Sequence, residues 1–331
     1  MQRHLAGPAL FFLLLVLGLA ACGGGSGGLG TVPTVAPTPS SDVGGPDETP
    51  IASGAPGASA SPSTEPSVEP SAAPSPAASP GATQGGTMIV RAYFVLGGEP
   101  GVTGLVPVLR TVPQTAGVAK AAMTALLAGP TKAESGDRTI TTAIPDGTTL
   151  NGVSIRNGIA TVDLSTEFDS GGGTASMRYR LGQVVYTLTQ FSTVKSVLFQ
   201  VEGQAVTVFG SEGIVLDGPS KRADWTDELP AIFVDRPAYG AAIGNPGPIS
   251  GNADVFEAQF RLSILDGAGK ILVDQPVMAS CGSGCRGTFQ QTVGYTVGKA
   301  QWGTLRVYDP SEKDGSPQSV REYPVWLTPG L

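Results

Sequence analysis

Three cysteines are the residues of this sequence best suited to covalent chemistry, and their positions divide them into two groups. Cys22 ends an apolar run in LGLAACGGGSGG (17–28), whereas Cys281 and Cys285 lie four positions apart in the loop CGSGC. A thiolate can act as a nucleophile, bind a metal, accept a lipid or form a disulfide. The sequence around each cysteine decides among these chemistries.

The histidine content excludes several kinds of active site. His4 is the only histidine, and it lies in a segment that we expect to be removed. Without it the chain has no imidazole for Ser-His-Asp or Cys-His catalysis, for His-ligated zinc or iron, or for proton transfer near neutral pH. Catalysis would then depend on carboxylates, Lys, Tyr or a cofactor.

Cys22 has the setting of a lipid attachment site. A basic start at Arg3 and the apolar run 10–19, too short to span a bilayer, are typical of a secretory signal. Residues 19–22 read LAAC and match the bacterial lipobox, in which the cysteine is acylated with palmitate-type chains and becomes the new N-terminus. We expect residues 1–21 to be a lipoprotein signal peptide and the protein to be extracytoplasmic, lipid-anchored to the cell membrane. The alternative is an ordinary signal peptide with an incidental cysteine.

Residues 22–87 have the composition of a tether. After Cys22 they are almost all Gly, Ser, Pro, Ala and Thr, with no Lys, Arg or aromatic residue. Such a segment cannot bury enough apolar surface to offset its ordering entropy. We therefore expect a disordered linker with a reach of about 45 Å as a flexible coil.

The spacing of Cys281 and Cys285 favours a local disulfide in an exported protein. The intervening glycines let the two Cα atoms approach to the required distance. Two thiolates without a histidine give too few metal ligands, and redox-active pairs are usually separated by two residues. Free thiols are the alternative, and we expect neither a metal nor a cofactor.

Three carboxylates, Asp163, Glu167 and Asp169, could in principle hydrolyse a glycosidic bond. The sequence places no aromatic sugar platform beside them. A carboxylate at a strand end also commonly accepts hydrogen bonds from turn amides. We therefore expect these residues to have structural or solvated roles, and we assign no catalytic residue.

The acidic balance of the chain excludes a nucleic-acid partner. The formal net charge is −7, with no basic tract to bind phosphates. Four further loop acids lack the spacing of a calcium loop, and we expect them to be solvated turn residues. They are Asp266, Asp309, Glu312 and Asp314.

The folded part begins near Met88 with strand and helix patterns in turn. Apolar residues recur at helical spacing in two segments, and Asn157-Gly158 is a strong two-residue hairpin turn. The predicted elements are strands at 88–95 and 105–112, a helix over 118–130 capped by Thr115, a hairpin at 153–163, a helix over 175–191 and a hairpin at 194–210 turning at Glu202-Gly203. This order indicates an α+β domain with two helices on a sheet.

Several motifs of this segment resemble the GerMN domain, a sporulation and spore germination module. They are IPDGT (144–148), NGIATVDLS (157–165) and VVYTLTQFSTVKSVLFQVEG (184–203), and the resemblance spans about 88–218. It implies an α+β fold in an envelope lipoprotein and supplies no established catalytic residues. Because the module also occurs in lipoproteins of non-sporulating bacteria, sporulation itself does not follow from the resemblance.

Beyond a polar joint that contains Trp225, the pattern changes to short strands and turns. FEAQFRLSIL (256–265) alternates apolar and polar residues, and about seven strands without a helix predict an immunoglobulin-like β-sandwich over 229–331. Residues 250–272, GTF (287–289) and SEKDGSPQ (311–318) resemble the immunoglobulin-like domain of bacterial spore germination proteins. That resemblance implies a binding or structural module. The two-cysteine loop is a departure of this chain from the general pattern of the family.

These features together predict a membrane-anchored envelope lipoprotein with a non-catalytic binding or scaffolding role. Its partners would be membrane lipid, through acylated Cys22, and an envelope protein or wall glycan. Two alternatives stay open: a carboxylate-based wall glycan hydrolase that uses Asp163 and Glu167, and an accessory subunit of an envelope transport or signalling system.

Mass spectrometry of the mature N-terminus tests the assignment of Cys22. We expect the mature chain to begin at Cys22 and to carry acyl chains, each contributing about 0.8 kcal/mol of membrane affinity per buried methylene. A soluble, unmodified product cut at another position would overturn the lipoprotein assignment.

Overall fold

The computed structural model describes residues 86–98, 101–136 and 140–330. The predicted signal peptide, Cys22 and all but the last two residues of the predicted tether lie outside this range. Within the described part of the chain, no helix is both long enough and apolar enough to cross a membrane.

The first domain has strands and helices in the predicted order, which confirms the α+β class. Its helices are α1 (Val118–Leu127), α2 (Lys132–Gly136) and α3 (Thr174–Leu188), with a 3-10 turn at Thr166–Asp169. Its strands are β1 (Thr87–Leu96), β2 (Gly104–Pro113), β3 (Ile140–Thr141), β4 (Leu150–Arg156), β5 (Ile159–Leu164), β6 (Ser196–Val201), β7 (Gln204–Ala205), β8 (Val208–Phe209) and β9 (Ile214–Val215).

These strands form two main sheets rather than one. One sheet has the order β2-β1-β3 and the other β4-β5-β6-β7, while β8 and β9 form a separate short hairpin. Strands β5 and β6 run parallel because α3 crosses over between them. The predicted hairpin at 194–210 is therefore limited to β6 and β7.

The turn residues adopt the backbone conformations that their types predict. Asn157 and Gly158 have φ of 50° and 81°, and Glu202 and Gly203 have φ of 49° and 76°, as two-residue hairpin turns require. The prediction for Thr115 is wrong. Helix α1 begins after Gly117 without a side-chain cap, and the Thr115 hydroxyl instead accepts the Gly117 N–H at 3.0 Å, because Thr115 lies two residues before the N-cap position.

Helix α3 is buried on nearly all sides, although its sequence indicates a single apolar face. Its polar residues Arg180, Gln183 and Thr187 are buried with the apolar ones. Gln183 donates to the Tyr93 carbonyl at 2.9 Å and accepts the Ala143 N–H at 2.8 Å. The side chains thus satisfy strand and loop backbone, so that a partly polar helix can be buried between other elements.

The second domain is the predicted sandwich, with eight strands in two sheets. They are β10 (Ile232–Arg236), β11 (Ala242–Ile243), β12 (Gly247–Ala253), β13 (Gln259–Leu265), β14 (Ile271–Met278), β15 (Gly287–Val293), β16 (Gln301–Pro310) and β17 (Pro317–Leu327). The sheets have the orders β10-β12-β15 and β11-β17-β16-β13-β14. The strand beyond the predicted seven is β11, which pairs in parallel with the end of β17.

The alternation predicted for 256–265 is wrong at its first residues. A 3-10 turn occupies Phe256–Ala258, and β13 begins only at Gln259. Glu257 and Ala258 have φ of 51° and 60°, which interrupts the extended backbone. Phe256 is consequently 54% exposed instead of facing the core.

The hydrophobic cores of the two domains are continuous. Tyr186 of α3 contacts Phe233 of β10, with ring centroids 6.0 Å apart. The predicted polar joint is anchored by Trp225, which is only 3% exposed and lies in the 3-10 segment Arg222–Glu228 that packs against α3, while two acidic residues of the segment stay exposed. The two domains are therefore separated by a change of sequence pattern, but their apolar side chains pack into one continuous core.

Glycine substitutions test the close packing of the sandwich. A Cβ at Gly251 in β12 would overlap the Phe233 carbonyl of β10, whereas a Cβ at Gly152 in β4 has no neighbour within 4 Å. We expect Gly251→Ala to lower the free energy of unfolding by about 2 kcal/mol or more. Gly152→Ala is the matched control and should change it by less than about 1 kcal/mol in denaturant titrations. Equal effects would contradict the packing described for β10 and β12.

Candidate functional site

The three carboxylates considered for catalysis each have a hydrogen-bonding partner in the structure. Asp163 accepts the Gly203 N–H at 2.9 Å and so holds the turn between β6 and β7. Asp169 accepts the Gly210 N–H at 2.6 Å. A hydrogen bond from Ser165 lowers the pKa of Glu167. These contacts describe turn anchors and do not form a general acid and base facing a common cleft.

Three of the four loop acids of the second domain lie in or beside turns, as expected, whereas Asp309 lies in β16 and is partly buried, so the expectation of a solvated turn residue is wrong for it. Asp266 accepts the N–H groups of Ala268 and Lys270, each at 2.9 Å. Asp314 accepts the Ser316 N–H at 3.0 Å. Burial raises the pKa of Asp309, and nearby Glu312 adds to the effect. Among the residues that the structure describes, no three His, Cys, Asp or Glu side chains are grouped closely enough to hold a metal.

Cys281 and Cys285 are bonded to each other in the structure, with their Cα atoms 6.0 Å apart. Their loop joins β14 to β15 and packs on the 3-10 turn at Phe256–Ala258. A Cβ at Gly282 would overlap the backbone of Ala258, so the loop backbone lies directly against this turn. The disulfide thus closes a short surface loop and leaves the core of the sandwich to other residues.

A partly buried polar network joins the two domains around Asp235 of β10. The Tyr93 hydroxyl donates to Asp235 at 2.5 Å, and the Arg91 guanidinium lies 3.4 Å from the same carboxylate. Arg222 donates to the Tyr93 hydroxyl oxygen at 3.2 Å and stacks over Tyr186, 4.6 Å from the ring centroid. A single carboxylate from the second domain is therefore held by side chains of the first domain and the joint.

The phenols of this network are poorly suited to proton transfer or nucleophilic attack. Burial raises the pKa of Tyr93, and the charge of Asp235 reinforces the shift. Burial also raises the pKa of Tyr186 to about 12. Both groups stay protonated at neutral pH, so Tyr93 acts as a hydrogen-bond donor. The network is a structural contact between domains.

Arg321 of β17 makes a second contact between the domains. It is 1% exposed, and its guanidinium donates to the carbonyls of Val102, Gly104 and Leu105, the last at 3.1 Å. The guanidinium also lies over the Tyr323 ring, 5.4 Å from its centroid. Only the two terminal nitrogens make these bonds, and the buried Nε has no hydrogen-bond partner among the described residues. Because a buried cation needs acceptors in place of water, the three carbonyls fix where the start of β2 lies.

Backbone hydrogen bonds complete the junction. The Ala231 N–H donates to the Gly101 carbonyl, and the Tyr239 N–H donates to the Pro107 carbonyl, each at 2.8 Å. Unlike side-chain pairs, these bonds require the two backbones to approach directly. The domains are consequently joined from Gly101 to the middle of β2.

The sequence contains a signal for this junction that composition and motifs do not reveal. In VREYPVWL (320–327), Arg321 occupies the same alternating face as Tyr323, Val325 and Leu327, which are all fully buried. An arginine in an inward register needs a buried acceptor. The inward register of Arg321 therefore predicts a buried hydrogen-bond acceptor. It does not predict that this acceptor is the backbone of the other domain.

The fold and the junction define a class of protein: an α+β domain fused through a shared core to an immunoglobulin-like sandwich. Residues 91–207 match the Germane family model, described as sporulation and spore germination, and residues 231–316 match the Gmad2 model, described as the immunoglobulin-like domain of bacterial spore germination. These matches confirm both resemblances: the chain contains a GerMN-type domain followed by an immunoglobulin-like domain of the spore germination type. The families are not known as enzymes.

Two solved structures of a sporulation protein are similar to parts of the chain. The first GerMN domain of GerM from Bacillus subtilis is 24% identical, with a TM-score of 0.35 over 41% of this chain and 99% of that one. The tandem GerMN domains of the same protein are 16% identical, with a TM-score of 0.37 over 74% of this chain and 62% of that one. No curated protein matches the chain significantly.

Substitution of Arg321 tests the contact between the domains. We expect Arg321→Met to lower the free energy of unfolding by about 2–4 kcal/mol, because three carbonyls lose their donor. The matched control is Arg306→Met on the neighbouring strand, where a half-buried Arg306 pairs with Glu322. An exposed pair of this kind contributes at most about 1 kcal/mol. Equal losses in denaturant titrations would contradict a special role for Arg321.

Proposed function

We propose that this protein is a non-catalytic binding or scaffolding protein of the cell envelope, anchored by acyl chains on Cys22. The observation that carries the proposal is the junction, in which Arg321 unites the two domains through buried hydrogen bonds and Asp235 through partly buried ones. A rigid body presents its surfaces at fixed mutual positions, as a scaffold needs. The predicted tether would let this body reach away from the membrane.

The family matches relate this role to sporulation and spore germination. Both matched families carry that description, and they occur here in one chain, in the order α+β domain then sandwich. We infer a role in the envelope of a cell that forms or revives from spores, or in the corresponding envelope process of a relative that does not sporulate.

The hydrolase alternative has less support from the geometry. A glycosidase needs two carboxyl groups about 5–9.5 Å apart that flank the scissile bond. Asp163 accepts the Gly203 amide of the β6–β7 turn, and Glu167 accepts a hydrogen bond from Ser165 beside it. Each carboxylate thus has a local structural role, which disfavours the pair as a general acid and base.

A combined localisation and activity experiment tests this function. The full chain should fractionate with membranes, whereas Cys22→Ala should not, because the acyl chains supply the anchoring energy. Cys281→Ala is the matched control and should stay with the membranes. Purified wall sacculi incubated with the wild type should release no reducing sugar above the buffer level.

Two outcomes would contradict the proposal. One is membrane association that is unchanged in Cys22→Ala. The other is release of sugar by the wild type that is lost in Asp163→Asn but kept in Asp217→Asn, a control at an exposed acid. That second pattern would establish the hydrolase instead.

A further inference from the structure

Two tryptophans form an exposed pair on the outer face of the five-stranded sheet. Trp302 of β16 and Trp326 of β17 are directly opposite in the register, and their ring centroids lie 5.3 Å apart at an interplanar angle of 76°. Trp302 is 51% exposed and Trp326 is 36% exposed, while the alternate residues Gly303 and Leu327 face the core. The core therefore does not require these indoles, and exposed large apolar groups of this kind commonly mark binding surfaces.

The same face continues into rows of polar side chains. Thr304 lies opposite Pro324, and the next outward row pairs Arg306 with Glu322 at 2.7 Å. Because side chains two residues apart share a face, the indoles and this ion pair line one surface. Four residues separate Trp302 from Arg306, which corresponds to about 13 Å along the strand.

The neighbouring strands extend this polar region. On β13, Ser263 lies opposite Arg306 in the register. The Asp274 carboxylate on β14 accepts hydrogen bonds from the Ser263 hydroxyl at 3.0 Å and from Arg261 at 2.7 Å. The outer face of the sheet thus has two tryptophan rings at one end and, further along, a region of hydrogen-bonding polar side chains.

This arrangement matches the chemistry of an uncharged sugar chain. A sugar ring has a C–H face, which packs on the electron-rich face of an indole, and hydroxyl groups that both donate and accept hydrogen bonds. The two ion pairs, Arg261–Asp274 and Arg306–Glu322, supply both hydrogen-bond donors and acceptors, and their charges cancel. A neutral polyhydroxylated ligand complements this balance, whereas a polyanion meets no net positive charge in a chain of net charge −7.

We propose that the outer face around Trp302 and Trp326 is a binding site for the polysaccharide strands of the cell wall. The indoles stack on the sugar rings, and the Arg306–Glu322 pair and its neighbours bind the hydroxyls. This inference rests on the proposed envelope function and names the partner of the scaffold.

Co-sedimentation with purified, insoluble peptidoglycan tests the site, with the full chain kept in detergent. The wild type should sediment with the peptidoglycan, and a soluble tetramer of N-acetylglucosamine should compete, whereas an anionic polysaccharide such as heparin should not. We expect Trp302→Ala and Trp326→Ala each to weaken binding about tenfold or more, as expected for central aromatic anchors. Trp302→Phe should restore part of the loss, because a ring remains.

The matched control is Phe256→Ala, which removes another exposed aromatic ring outside the tryptophan pair. It should leave binding within about twofold, and thermal denaturation should show that all variants stay folded. Absence of sedimentation by the wild type, equal loss in Phe256→Ala, or competition by heparin alone would each overturn the proposal. If one of these results occurs and membrane association still depends on Cys22, the proposed envelope function is retained. Only the assignment of wall glycan as the partner is then rejected.

Discussion

The architecture of this protein depends on one buried cation. Arg321 belongs to the sandwich, yet its guanidinium donates to carbonyls at the start of β2 in the other domain. A guanidinium kept out of water costs several kcal/mol unless acceptors replace the lost water. Here the acceptors come from the other domain, so a shifted docking of the two domains would bury the cation without them. The contact therefore specifies one arrangement of the two domains.

At the rest of the junction, too, a charged group of one domain has its hydrogen-bonding partners outside that domain. Asp235 depends on Tyr93 and on two arginines that the sandwich does not supply. Apolar packing between Tyr186 and Phe233 lies beside this network and covers part of it, whereas Asp235 and the two arginines remain partly exposed. The polar groups provide specificity and the apolar core provides most of the stability, so the paired domains act as one body.

The sequence predicts the local features of this fold well and its long-range partners poorly. Asn157-Gly158 predicts its turn because few residues accept the required left-handed backbone. The parallel pairing of β5 with β6 was not predicted, since hydrophobic patterns identify faces and not neighbours. Phe256 was assigned to the core because its spacing fits a strand, yet two left-handed residues beside it end the alternation.

The candidate sites divide in the same way. The motif around Cys22 and the spacing of Cys281 and Cys285 are both local signals. Only Cys281 and Cys285 lie within the described residues, where they are bonded to each other. The junction at Arg321 and the pair of Trp302 with Trp326 depend on register between strands, which a single sequence does not encode in readable form. The two family matches confirm the two resemblances, but they do not indicate that the domains share a core.

The central claim is that the two domains are one cooperative body, and calorimetry of the full chain tests it most directly. The shared core and buried Arg321 predict a single unfolding transition in which the calorimetric and van't Hoff enthalpies agree. Two separable transitions, one for each domain, would contradict the claim.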